Sequence, residues 1–115
     1  MHELSIAQSV VDTVEKELAS RPGALLRKVG MRVGELAGVD ADSLRFSWDC
    51  LTRETAFEGV ALEIETRDWR RRCPHCGLIF AVVNYQTICS RCGTEETQHQ
   101  GGDELDVAYL ELETP

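Results

Sequence analysis

A chain of 115 residues with an ordinary hydrophobic share has room for one modest core and a small appendage. Acidic side chains outnumber basic ones by 20 to 12, a net charge of −8, which argues against general binding to nucleic acid or to an anionic membrane. No run approaches the roughly 20 apolar residues of a membrane span. The opening Met1-His2-Glu3 is acidic and then amphipathic, with no signal-peptide pattern, so a cytoplasmic protein is expected, with its cysteines in a reducing compartment.

Residues 4–18 carry Leu4, Ala7, Val10 or Val11, Val14 and Leu18 in a three-four rhythm, the stripe of an amphipathic helix, and Ser20-Arg21-Pro22-Gly23 ends it. From Leu25 to Leu36 the period changes to two: Val29, Met31 and Val33 alternate with Lys28, Gly30, Arg32 and Gly34, a strand whose glycines imply a bulge or a close backbone approach. After a turn, Asp40 or Asp42 can cap a second helix built on Leu44, Trp48 and Leu51, in which Cys50 reads as a small apolar residue. Val60, Leu62 and Ile64 then alternate with Ala61, Glu63 and Glu65 as a second strand, and strand-helix-strand order implies a crossover with the helix on one sheet face.

At Thr66 the composition shifts. Arg67-Asp68-Trp69-Arg70-Arg71-Arg72 is basic and polar and leads into the cysteines. Leu78–Val83 and Tyr85–Ile88 are expected to pair as a hairpin, with Thr94–Gly102 as a polar return linker. Leu105–Leu112 alternates again and is too short to have its own core, so it joins the first two strands. The expected architecture is α/β (α+β): a small three-stranded mixed sheet with two helices, formed by residues 1–66 and 104–115, and an inserted zinc-ribbon-like domain at 67–103.

The cysteine pattern is the most specific feature. Cys73-Pro74-His75-Cys76-Gly77 and Cys89-Ser90-Arg91-Cys92-Gly93 are two Cys-x-x-Cys turns separated by twelve residues. Each turn supplies two thiolates, and a tetrahedral ion needs four converging from two turns; the usual spacer for this zinc pattern is roughly 15–20 residues. Structural zinc on Cys73, Cys76, Cys89 and Cys92 is the leading reading. Iron in the same cage, or disulfides or a redox dithiol, are the alternatives. Glu95 and Glu96 offer no positive partner to a reactive thiolate.

The amino terminus is a second place where donors gather. The Met1 amine, the His2 amide nitrogen and the His2 imidazole can chelate in consecutive rings, with Glu3 as a fourth donor, a set that suits nickel(II) or copper(II). A carboxylate such as Asp40 could hold the other imidazole nitrogen. The competing reading is a frayed, solvated end with Glu3 favouring the helix dipole.

Met1-His2-Glu3-Leu4-Ser5-Ile6-Ala7, Val33-Gly34-Glu35-Leu36 with Gly38-Val39-Asp40, and the doubled Cys-x-x-Cys together resemble the HypA/HybF family of hydrogenase maturation proteins over the whole chain. The resemblance implies a nickel metallochaperone rather than an enzyme. Nickel(II) would be held through His2 with Met1 and Glu3 taking part, Asp40 would lie close by, and zinc(II) would be held structurally by the four cysteines. It further implies a HypB-type GTPase partner and delivery to the [NiFe]-hydrogenase large subunit, with urease also served in some organisms. A weak homodimer is compatible with it; nucleic-acid and membrane partners are not expected. His75 is not counted as a ligand, and His99 is expected to be solvated. Two rivals remain at this stage. One is a zinc-ribbon adaptor contacting nucleic acid or a polymerase through Arg67 and Arg70–Arg72. The other is an oxidoreductase using the cysteines.

Overall fold

The computed structural model describes residues 3–115. Helix α1 (Glu3–Ala19) buries Ala7, Val10 and Val14 and stops where Pro22 and Gly23 cannot continue it. Strand β1 (Leu25–Gly34) follows, then a 3-10 turn (Glu35–Ala37), helix α2 (Ala41–Thr52) and strand β2 (Ala61–Arg67). Asp40 caps α2 by accepting from the Ser43 amide at 2.9 Å. Leu44, Trp48 and Thr52, four residues apart, form its buried face. Trp48 also donates its indole N–H to the Val60 carbonyl at 2.9 Å, tying the helix to the entry of β2. Cys50 lies off that face and is exposed, which corrects its reading as an apolar packing residue.

β1 is the centre of the first sheet, parallel to β2 and antiparallel to the last strand, β6 (Leu105–Glu113). The mixed three-stranded sheet is therefore as expected. One face carries Leu26, Val29, Met31, Val33 and Leu62 against both helices. The other face is a solvated ladder of charge. Lys28 lies between Glu63 and Glu111, Arg32 pairs with Asp106 and Arg67 with Glu65, while the Tyr109 hydroxyl donates to Glu63. The two interior glycines of β1 mark close approaches. Gly30 lies under the Tyr109 ring, and a Cβ on Gly34 would sit 2.1 Å from the Gly102 carbonyl oxygen.

The second sheet departs from the sequence reading. Its strands are β3 (Arg70–Arg72) in the middle, β4 (Ile79–Ala81) and β5 (Gln98–Gly101), all antiparallel. The expected hairpin partner, Tyr85–Ile88, is not a strand. Asn84 and Tyr85 both have positive φ in a tight turn closed by Gln86 N–H to the Val83 carbonyl at 3.1 Å. The basic lead-in and the polar return linker are the strands instead. Neither shows apolar alternation, because most of their side chains are charged or solvated.

The two sheets are stitched at one junction. Gly34 N–H donates to the Glu104 carbonyl and Leu36 N–H to the Gly102 carbonyl, both at 2.7 Å. The Glu104 carboxylate accepts from Gly102 N–H at 2.7 Å, and Glu35 accepts from Trp69 N–H at 3.3 Å. The 3-10 turn that receives these contacts runs directly into Gly38-Val39-Asp40 and the α2 cap.

Candidate metal centre

The loop from β3 to β4 and the loop from β4 to β5 each bring one cysteine pair to the same end of the second sheet. Their turns repeat one pattern of bonds. Cys73 N–H donates to the Leu78 carbonyl and Cys89 N–H to the Thr94 carbonyl, both at 2.9 Å. Gly77 and Gly93 N–H return to the Cys73 and Cys89 carbonyls at 2.8 and 3.0 Å. Both glycines have left-handed φ, 81° and 78°, which allows each turn to close. Inside each turn the second cysteine's amide points at the first sulfur, Cys76 to Cys73 at 3.4 Å and Cys92 to Cys89 at 3.5 Å.

The four Sγ atoms all lie within 4.8 Å of one another. Cys73 and Cys92 are 3.5 Å apart, and Cys76 and Cys89 3.6 Å. A tetrahedral zinc with bonds of about 2.3 Å has sulfur-sulfur edges of about 3.8 Å. All four thiols are free, so the disulfide reading is set aside. The cage is a match for structural zinc: four protein ligands close the tetrahedron and leave no position for a substrate.

The electrostatics point the same way. Burial pushes the Cys73 thiol up, but the Cys76 amide, Thr94 and Cys92 together hold it down at about 5. Cys76 is lowered by the Leu78 amide and by Arg91. Cys92 is lowered by Thr94, yet burial and then the crowding of Cys73 and Cys89 leave it raised overall. Four thiolates this close cannot all ionise unless a cation sits among them. Arg91 is the positive partner that sequence reading missed. Its guanidinium donates to the Cys76 carbonyl at 2.9 Å, so the second knuckle clasps the first. The available signal was a cation placed between two ligands. Thr94 was also missed; its hydroxyl is 3.0 Å from Cys92 Sγ. His75 is exposed. His99 lies on β5 rather than in a linker and pairs with Asp103 at 3.0 Å.

Glu3 opens α1 and its carboxylate meets the Asp40 amide at 3.4 Å. Two of the residues expected around nickel therefore adjoin. Met1 and His2 lie outside the described residues.

A family model described as "Hydrogenase/urease nickel incorporation, metallochaperone, hypA" matches residues 1–112. The chain belongs to the HypA family. Relatives include the hydrogenase maturation factor HypA of Chlorobaculum tepidum, 38% identical over 98% of this chain and 100% of its own. That of Geobacter metallireducens is 40% identical with the same coverage. Two solved structures share the fold at 20% identity. The solution structure of the Ni metallochaperone HypA from Helicobacter pylori has a TM-score of 0.66 over 100% of both chains. A solution structure titled HypA protein has a TM-score of 0.72 over 100% of this chain and 98% of that one. A HypA protein is a nickel-incorporation metallochaperone of hydrogenase maturation, a carrier and not an enzyme. None of the helices among the described residues is long and apolar enough to cross a membrane.

Proposed function

We propose that this HypA protein takes nickel(II) at its amino terminus and passes it, with a HypB-type GTPase, to the [NiFe]-hydrogenase large subunit in the cytoplasm. The donors are the Met1 amine, the amide and imidazole nitrogens of His2, and Glu3, with Asp40 behind them. The observation that carries the reading is the Glu3–Asp40 contact, which brings the start of α1 against the cap of α2. One Asp40 oxygen is engaged by the Ser43 amide; the other could receive an imidazole N–H, fixing the tautomer that leaves the remaining nitrogen for metal.

Copper(II) binds such donors more tightly than nickel(II), so selection rests on geometry and on which partner loads the site. The two ions are kept apart by softness, with four thiolates for zinc and nitrogen donors for nickel. Amide coordination requires loss of a proton, and the imidazole loses its donor when protonated near its usual value of about 6.5, so nickel binding weakens as pH falls. The division into 1–66 with 104–115 and 67–103 belongs to the same proposal, the second part serving as the zinc-held domain. The adaptor rival is disfavoured by what the arginines do: Arg71 is spent on Thr97 and Arg67 on Glu65.

Nickel titration of untagged, zinc-loaded protein tests the site. Wild type should take up one nickel per chain. His2→Ala should lose that uptake while zinc stays near one per chain, and an unchanged nickel isotherm in His2→Ala refutes the assignment. A tag fused before Met1 should damage binding if the terminal amine is a donor.

A further inference from the structure

A trough runs between α1 and β6, on the side of the molecule away from β2. The helices pack on each other, with α2 over β2, so the helix-facing row of β6 is only half-covered: Leu105, Val107, Leu110 and Leu112 are all half-buried. Two adjoining cavities of about 510 and 310 Å³ occupy the space, sharing Thr13 and Val107 in their walls. The middle of the helix wall is narrow by composition, between Ile6 at one end and Glu17 and Arg21 at the other. Ser9 and Thr13 stand there, and both hydroxyls fold back on their own helix, onto the Ser5 and Ser9 carbonyls at 3.1 and 2.9 Å. Larger side chains at these two positions would fill the trough. Its third side is the outer edge of β6, a nine-residue strand that among the described residues is paired only to β1.

An apolar trough bordered by an unpaired strand edge has the shape for an added strand, which supplies backbone partners to the edge and alternate side chains to the trough. A second copy of this chain is a poor occupant. In the antiparallel register that keeps the two apolar rows together, Leu105 faces Leu112 and Val107 faces Leu110. That register sets Asp106 opposite Glu111 and Glu104 opposite Glu113, each twice, and like charges directly opposite are destabilising. The same row favours a cationic strand. The Asp106, Glu111 and Glu113 side chains are 48%, 59% and 56% exposed even while engaged with β1, and Glu111 shares Lys28 with Glu63, at 3.7 Å against 3.2 Å.

We infer that the α1–β6 trough is a docking site for an extended segment of another protein, in which β-branched apolar residues alternate with lysine or arginine, added to the sheet at the β6 edge. Among the described residues, none of the side chains lining it is a cysteine of the zinc cage or one of the donors proposed for nickel.

Two synthetic nine-residue peptides serve as probes, one alternating valine with lysine and the other valine with glutamate, each titrated into zinc-loaded protein. Amide hydrogen exchange is read residue by residue. The lysine peptide should bind at least tenfold more tightly than the glutamate peptide and slow exchange within residues 105–113. Thr13→Phe, which fills the trough from a helix surface, should weaken that binding at least tenfold with helicity and zinc content unchanged. Ser9→Phe is a second block should Thr13→Phe fail to fold. Failure of the lysine peptide to bind overturns the inference, as do equal affinities for the two peptides, protection at β2 instead of β6, and binding indifferent to the blocking variant.

Discussion

Zinc is the main source of order for residues 67–103, and its removal is the sharpest test of how the molecule is built. Among the described residues, Val82 is the only buried aliphatic side chain in that stretch, and Cys73, Cys89 and Thr97 are its other buried side chains. One buried valine is worth about 1.5–3 kcal/mol. Structural zinc on cysteine ligands contributes about 10–16 kcal/mol at neutral pH, and that binding energy is folding energy. Cys73→Ser, at a fully buried ligand, should therefore release the metal and melt β3, β4 and β5 together. The α/β part keeps its own ten-residue buried cluster, centred on Trp48, Leu44 and Val29. It must then close a flexible loop of 37 residues between Arg67 and Leu105, at about 3 kcal/mol by loop-closure scaling. Its melting should fall by roughly 10–20 °C but remain cooperative. Metal analysis gives the zinc content, and residue-resolved amide exchange gives the order. Protection should vanish at 70–72, 79–81 and 98–101 and persist in α1, β1, α2, β2 and β6. Uniform loss of protection, or a second sheet that survives without zinc, refutes the reasoning.

Three further outcomes are expected. Gly102→Ala should destabilise by about 2 kcal/mol or more, because Gly102 has φ +114° and a Cβ there would lie 2.5 Å from the Trp69 Cα; exchange should quicken at Gly34, Leu36 and Gly102 while zinc stays bound. Arg91→Ala removes the clasp on the Cys76 carbonyl and should weaken zinc by about 10–100-fold in competition with a chromogenic chelator, so an unchanged affinity would show that the clasp is idle. Tyr109→Phe should raise the Glu63 titration midpoint, because the Tyr109 hydroxyl and then Lys28 hold that carboxyl below its ordinary value of 4.5. A depressed carboxyl contributes stability above the unfolded value and loses it as pH falls through the folded one. The variant's deficit should therefore be present at neutral pH and disappear in acid; carboxyl NMR titration with denaturant midpoints across that range measures both.

The parts legible in the sequence are those where one chemical rule acts over a few neighbouring residues. The apolar rhythm of Ala7, Val10 and Val14, and the alternation through Val29, Met31 and Val33, follow from helix and strand geometry alone. Two Cys-x-x-Cys turns ending in glycine announce their own ligand set, because thiolate chemistry at that spacing has few other uses. The opening residues and the cysteines also carried the family resemblance, which the match over 1–112 bears out.

Tertiary structure alone decided what depends on partners distant in the chain. Arg70–Arg72 is a central strand because Ile79–Ala81 and Gln98–Gly101 lie on either side of it, and backbone pairing leaves no mark on side chains that stay in water. Tyr85–Ile88 has the β-branched and aromatic character of a strand, yet its chain turns through two left-handed residues and gives the Thr87 carbonyl to the Thr97 hydroxyl instead of to a ladder. The position of Arg91 on the opposite knuckle, the Gly34–Gly102 contact and the half-covered row of β6 have the same origin. Each is set by which surfaces meet after the core has closed, and local residue pattern carries no information about that meeting.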